Sequence, residues 1–145
     1  MNLNNKRVLF ILAPKDFRDE EFFEPKKVLE NYKVKIEVAN STGTDSRGML
    51  GGRAEVNLTL DKVNINDYDA IIFVGGSGSS VYFNNQKALS IAKEAYFKGR
   101  LVCSICLATG ILANASLLND KKATGFISTK DLVENNGGSF TGSNV

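Results

Sequence analysis

The most informative feature of this 145-residue sequence is a residue type that it lacks, histidine. Without histidine, the chain cannot by itself assemble a Ser-His-Asp triad, a Cys-His pair or an HExxH metallopeptidase site. Its two cysteines are too few for a four-ligand zinc site, so we expect no metal. Acid–base chemistry is therefore left to carboxylates, thiols, lysines and tyrosines.

The sequence also has no excess of one charge and no long apolar run. Eighteen Lys and Arg balance sixteen Asp and Glu, and no basic run exceeds a pair, whereas nucleic-acid binders concentrate positive charge on one face. The apolar run at residues 8–12 is too short for a membrane span or a signal peptide. We therefore expect no nucleic-acid or membrane partner. Two cysteines without a signal peptide favour the reducing cytoplasm.

Apolar runs alternate with amphipathic segments along the whole chain. This alternation predicts an α/β fold, a doubly wound and mostly parallel sheet with helices on both faces. The predicted strands are 7–13, 34–39, 55–60, 69–74, 101–105 and 121–126. The predicted helices are 21–32, 86–98, 107–118 and 130–135.

Two segments fall outside this regular alternation. Residues 41–53 are a polar, glycine-rich connection, and the period-2 pattern of 55–60 places that strand near a sheet edge. Residues 137–145 look like the approach to another strand, yet no further element follows them. We therefore expect one domain, 1–145, that lacks its C-terminal strand and helix.

Cys106 is the first candidate for chemistry. It follows a predicted strand and precedes a helix, and the residues two before and two after it, Ser104 and Ala108, are as small as a nucleophile elbow requires. At a helix N-terminus, backbone N–H groups would lower the pKa of its thiol. A buried structural cysteine fits the same pattern. Cys103 lies within the strand, and we expect it in the core.

Glu21 is the second candidate. It shares the apolar face of its predicted helix, whereas Glu20 and Glu24 lie off that face. An inward-facing carboxylate is costly unless it is partnered or protonated.

The glycine-rich segment 75–80, GGSGSS, is the third candidate. It matches neither the P-loop nor the dinucleotide fingerprint. It does follow a parallel strand at its carboxyl end, where ligand sites of such sheets lie, and glycines let backbone N–H groups face an oxyanion. A flexible turn explains the segment equally well.

Together these segments resemble the ThiJ/PfpI superfamily, which includes PfpI-type intracellular proteases, glyoxalase III enzymes and the parkinsonism-associated deglycase. Glu21 stands four residues before a proline, as the family's acidic residue does. The Gly75-Gly76 pair matches the family's PGG turn, with Val74 in place of the proline. The SIC segment, 104–106, matches the A-I-C elbow.

The resemblance implies a flavodoxin-like sandwich without a cofactor, usually a homodimer or a higher homo-oligomer. It makes Cys106 the nucleophile. The sequence departs from the family at Leu107, where the protease-type branch has histidine, and at 108–109, where Gly-Pro is usual. Residues 124–126 also lack the histidine of the deglycase branch. These departures argue against peptidase activity.

The leading hypothesis is a Cys106–Glu21 dyad that acts on small reactive carbonyls, as glyoxalases and deglycases do in stress protection. Glu21 would serve as acid and base, and the backbone N–H groups of Gly75, Gly76 and Leu107 would bind the oxyanion. The alternatives are a redox sensor or holdase chaperone that works through oxidation of Cys106, a PfpI-like peptidase or amidase, and an inactive relative.

Overall fold

The computed structural model describes residues 3–144, over which ten strands and four α-helices alternate. The strands, in chain order, are β1 (Arg7–Ile11), β2 (Lys15–Phe17), β3 (Lys35–Asn40), β4 (Ser46–Gly48), β5 (Arg53–Ala54), β6 (Leu58–Thr59), β7 (Ala70–Phe73), β8 (Leu101–Ser104), β9 (Lys122–Ala123) and β10 (Ser139–Phe140). The helices are α1 (Asp19–Asn31), α2 (Gln86–Phe97), α3 (Thr109–Asn114) and α4 (Lys130–Asn135).

Five of these strands form a central sheet in the order β6-β3-β1-β7-β8. Every pair in it is parallel. From β1 the chain first moves to one side, to β3, and later crosses to β7 on the other side. A topological switch point therefore lies between β1 and β7, and ligand sites of such sheets lie there, beyond the carboxyl ends of the strands.

The sheet is covered on both faces. Along β1, Val8 and Phe10 join one apolar cluster, which includes Phe22 of α1. Leu9 and Ile11 point to the opposite face and join a second cluster, to which α2 and α3 contribute. This two-sided burial explains the continuous apolar run of β1, and it confirms the predicted flavodoxin-like α/β sandwich.

The polar segment 41–53 is more ordered than the sequence indicated. It contains β4 and β5, which form a small separate sheet with β2. Asn40 is fully buried, and its side-chain amide donates to the carbonyl of Thr44 and to Ser46 Oγ. These side-chain bonds fold a polar run that hydrophobic periodicity cannot detect.

The strand that leads to Cys106 is not buried, which corrects the prediction for 101–105. β8 lies at the edge of the sheet as the structure describes it, and Leu101 is 70% exposed. Cys103 is also exposed, so the prediction that it is a core residue was wrong. An apolar run predicts a strand, but it does not say whether a second strand pairs on its far side.

Four further elements differ in extent from their predictions. Helix α3 covers only Thr109–Asn114 of the helix predicted at 107–118, and β9 covers only Lys122–Ala123 of the strand predicted at 121–126, in a separate two-stranded sheet with β10. Helix α1 begins at Asp19 rather than at Glu21, and it continues through Pro25. The strand predicted at 55–60 is only β6, although it does lie at a sheet edge as expected. No helix in residues 3–144 is long and apolar enough to cross a membrane.

Candidate active site

Cys106 occupies a sharp turn between β8 and α3. Its φ is 56°, in the left-handed region that residues with a side chain rarely adopt. A single 3₁₀ turn, Cys106–Ala108, connects it to the helix, and Ala108 is fully buried. The hydroxyl groups of Ser104 and Thr109 hydrogen-bond across the turn at 3.2 Å. The turn is the strained elbow that the small flanking residues predicted.

The two glycines after β7 pack directly against the segments that carry the other candidates. A Cβ atom on Gly75 would overlap the Glu21 carboxylate and come within 2.6 Å of the Ile105 carbonyl. Gly76 has a φ of 94°, and a Cβ there would overlap the backbone of Arg18. The Arg18 N–H also donates to the Gly75 carbonyl at 3.0 Å. Only glycine fits at either position.

Glu21 lies in the first turn of α1, beside Cys106. The Cys106 thiol and the Gly75 N–H hydrogen-bond to its carboxyl. Its Oε2 atom is nevertheless buried without a hydrogen-bond partner among the described residues. Burial raises the pKa of Glu21, and these hydrogen bonds only partly oppose the rise. Burial costs a neutral carboxyl less hydration than it costs a carboxylate, so Glu21 is suited to carry a proton.

The pKa of the Cys106 thiol is raised as well. Burial is the main cause, followed by the negative charge of Glu21 and its hydrogen bond. The backbone N–H groups of Leu107 and Gly76 act on the sulfur in the opposite sense, but they do not prevail. This differs from the lowered pKa that the sequence predicted, because burial and the neighbouring carboxylate together outweigh the N–H groups of one short 3₁₀ turn. Thiol and carboxyl form a coupled pair.

Two of the three predicted oxyanion donors converge on the sulfur. The N–H groups of Gly76 and Leu107 hydrogen-bond to it, so they lie near the oxygen of any carbonyl group whose carbon bonds to that sulfur. The Gly75 N–H points at Glu21 instead. Gly75 is therefore placed to orient the carboxyl rather than to bind an oxyanion.

The pair opens into a cavity of about 530 Å³. Most of its wall was not predicted, because many of its residues lie in irregular segments that carry no periodic pattern. Arg18 is one of them, and its guanidinium pairs with Glu20 at 2.9 Å. The residues that line the cavity are Arg18, Glu21, Met49, Gly76, Ser77, Cys106, Leu107, Phe126 and Ser128.

A second cavity, of about 590 Å³, also reaches Cys106. Its wall includes Ser104, Thr109 and Lys122, so it lies toward β8 and β9. Within residues 3–144, no group of three or more Cys, Asp or Glu side chains is arranged to hold a metal ion.

Comparison with known proteins agrees with this geometry. An uncharacterized protein of Methanocaldococcus jannaschii is 47% identical over 124 residues, 85% of this chain and 60% of that protein. A deglycase of Pyrococcus horikoshii is 34% identical over 131 residues, 90% of this chain and 78% of that protein. The chain thus spans about three fifths of the first relative's length.

A solved structure and a family model give the same result. The crystal structure of a ThiJ/PfpI domain protein from Brachyspira murdochii superimposes with a TM-score of 0.93 at 27% identity, covering 100% of this chain and 83% of that one. The model of the DJ-1/PfpI family matches residues 6–145. The resemblance carried by the elbow, the glycine pair and the acidic residue is thereby confirmed, and the chain belongs to the DJ-1/PfpI family.

Proposed function

We propose that the protein is a cofactor-independent enzyme that acts on small reactive carbonyl compounds, with Cys106 as nucleophile and Glu21 as acid and base. One observation carries the proposal, a thiol beside a buried carboxyl at the wall of an open cavity. The substrate class comes from the family and from the relative named a deglycase.

The first step is addition of the sulfur to an aldehyde carbon. With methylglyoxal, the Cys106 sulfur bonds to the aldehyde carbon while its proton passes to Glu21. The negative charge that develops on the aldehyde oxygen is stabilised by the N–H groups of Gly76 and Leu107. Glu21 then returns the proton to this oxygen, which gives a hemithioacetal.

The second step moves a proton between adjacent carbons. Glu21, now a carboxylate, removes the proton from the former aldehyde carbon, and an enediol forms as the neighbouring carbonyl oxygen gains a proton. Glu21 then delivers its proton to the neighbouring carbon as the former aldehyde hydroxyl loses its own, so the net change moves one proton between the carbons and one between the oxygens. The former aldehyde carbon is oxidised and its neighbour is reduced, so no external oxidant is needed. Water then hydrolyses the resulting thioester, which releases lactate and the free thiol.

The raised pKa values suit this sequence of transfers. Because both groups hold protons more tightly than usual, the pair keeps a proton at neutral pH, on the sulfur or on the carboxyl. Because the pKa of Glu21 is raised, its carboxylate is a stronger base toward the neighbouring thiol than an exposed carboxylate would be. The pair can therefore release the thiolate on substrate binding without a histidine base.

Turnover of methylglyoxal to lactate tests the proposal. We expect Cys106→Ser and Glu21→Gln each to lose about a hundredfold or more in rate, because nucleophile and acid–base group are both removed from the reacting atoms. Cys103→Ser, at the exposed cysteine, serves as the matched control and should keep the wild-type rate. Equal rates in all four proteins would contradict the dyad.

A redox role for Cys106 is the second candidate function. The N–H groups of Gly76 and Leu107 beside the sulfur could hydrogen-bond to the oxygens of a sulfinate. Mass spectrometry after mild peroxide treatment separates the two functions. Clean oxidation at Cys106 without carbonyl turnover would favour the sensor. Both cysteines are free, and we place the protein in the reducing cytoplasm for either role.

A further inference from the structure

A short loop between β4 and β5, residues 48–52, borders the cavity that holds Cys106. Met49 is the loop residue that lines this cavity, and it is 43% exposed. Its side chain therefore lies at the opening rather than at the base. Backbone hydrogen bonds fix its position, since Met49 N–H donates to the Phe17 carbonyl at 2.8 Å.

The loop is held to helix α1 by a carboxylate that the proposed chemistry does not use. Asp19, the first residue of α1, is only 8% exposed. Its Oδ2 accepts a hydrogen bond from Leu50 N–H at 2.8 Å, and its Oδ1 accepts one from Gly52 N–H at 2.7 Å. Both oxygens thus accept hydrogen bonds from the backbone immediately after Met49.

The loop is shaped to admit this carboxylate. A Cβ atom on Gly48 or on Gly52 would overlap the Asp19 carboxylate, so both flanks of the loop must be glycine for Asp19 to enter. Gly48 N–H donates to the Gly52 carbonyl at 2.8 Å and closes the loop upon itself. Two hydrogen bonds to Asp19 therefore hold the loop against α1, beside the turn of helix that carries Glu21.

From this geometry we infer that Asp19 is a positioning residue which holds Met49 across the cavity opening, and that Met49 limits the size of the compounds that reach Cys106. The consequence for substrates rests on the proposed function: Met49 would admit small α-oxoaldehydes and exclude bulky carbonyl compounds. As a statement about access to the thiol, the inference stands without any enzymatic activity.

Alkylation of Cys106 by two reagents of different size tests the inference. In a Cys103→Ser background, the rates with iodoacetamide and with a naphthyl-substituted iodoacetamide are measured; both form a C–S bond and release iodide. The ratio of the two rates cancels any change in the reactivity of the thiol. We expect Met49→Ala and Asp19→Asn each to raise the large-to-small ratio by about tenfold, the effect of removing a barrier of 1.4 kcal/mol.

Two control measurements separate positioning from general loosening of the fold. Glu24→Gln makes the same carboxyl-to-amide change at an exposed site on the same helix, and it should leave the ratio unchanged. Asp19→Asn added to Met49→Ala should raise the ratio no further, because Asp19 acts through Met49. Met49→Ala alone keeps the inference testable if the Asp19 variant fails to fold.

An unchanged ratio in Met49→Ala would overturn the inference, and it would mean that the larger reagent enters through the second cavity, which Met49 does not line. Additive effects of the two substitutions would overturn the role of Asp19. Because alkylation needs no carbonyl turnover, a failure of the proposed function would leave this result intact, and the two failures are distinguishable.

Discussion

At the scale of single residues, the surroundings of Glu21 differ from those of a surface acid. It is partly buried, one carboxyl oxygen lacks a partner among the described residues, and a thiol rather than a cation lies beside it. Arg18 exerts only a minor charge effect on it, and that guanidinium is paired with Glu20. The fold thus holds a carboxyl in a place that favours its neutral form.

This environment predicts a dependence of stability on pH. The pKa of Glu21 is raised in the folded protein, so its contribution to stability is complete below about pH 4.5 and is lost as pH rises from there through the folded-state pKa. Glutamine does not titrate. At each pH we subtract the melting temperature of wild type from that of Glu21→Gln. We expect this difference to be about 2–4 °C larger at pH 7 than at pH 4.

Thermal unfolding of both proteins at the two pH values measures this difference. Glu24→Gln, at an exposed position of the same helix, should show no pH-dependent gain over wild type. A Glu21→Gln curve that runs parallel to wild type would contradict a raised pKa at this carboxyl.

Residues could be identified from the sequence where their surroundings depend on near neighbours in the chain. Glu21 was identified from its position on the apolar face of one helix, and Cys106 from small neighbours two residues away. Asp19 was missed, because its burial depends on a loop some thirty residues further along the chain. Cys103 was placed wrongly in the core for a related reason, since the exposure of an edge strand is set by what pairs beside it.

At the scale of elements, two turns show what a glycine contributes. Gly76 and Gly51 have nearly the same positive φ, 94° and 92°. A Cβ on Gly76 would overlap the backbone of Arg18 and lie 2.5 Å from the Asp16 carbonyl, whereas a Cβ on Gly51 would meet nothing within 4 Å. Both positions thus have a φ that disfavours a side chain, and only Gly76 also lacks room for a Cβ atom.

Alanine substitution should separate the cost of a positive φ from the cost of close packing. We expect Gly51→Ala to lower the free energy of unfolding by about 1–2 kcal/mol, the cost of the left-handed conformation alone. Gly76→Ala should lose about 1–3 kcal/mol more, because its neighbours are backbone atoms that cannot move aside. Urea denaturation measures both. Equal losses would show that the turn after β7 yields more easily than its packing indicates.

The elements themselves were predictable to different degrees. Apolar runs located the strands of the central sheet, because burial on both faces leaves a continuous signal in β1 and β7. The small sheet of β2, β4 and β5 left no such signal, since side-chain bonds from Asn40 organise the chain that leads into it. The wall of the cavity comes largely from such irregular segments, so its shape could not be predicted.

At the scale of the whole molecule, the site exists only because of the sheet topology. Glu21 lies in the connection from β1 to β3, Gly76 follows β7 and Cys106 follows β8, and parallel strands bring all three to the carboxyl end of the sheet. The Cys106–Glu21 pair joins residues that are far apart in the chain. Its coupled protonation is therefore a property of the folded protein and should vanish on unfolding.

The pH dependence of Cys106 alkylation tests this coupling most directly. In a Cys103→Ser background, we expect the thiol of the folded protein to titrate above its ordinary pKa of about 8.5, and Glu21→Gln to titrate lower, because the repelling carboxylate is gone. In concentrated urea the two proteins should titrate together. Identical titration midpoints in the folded state, with and without the Glu21 carboxyl, would contradict the account.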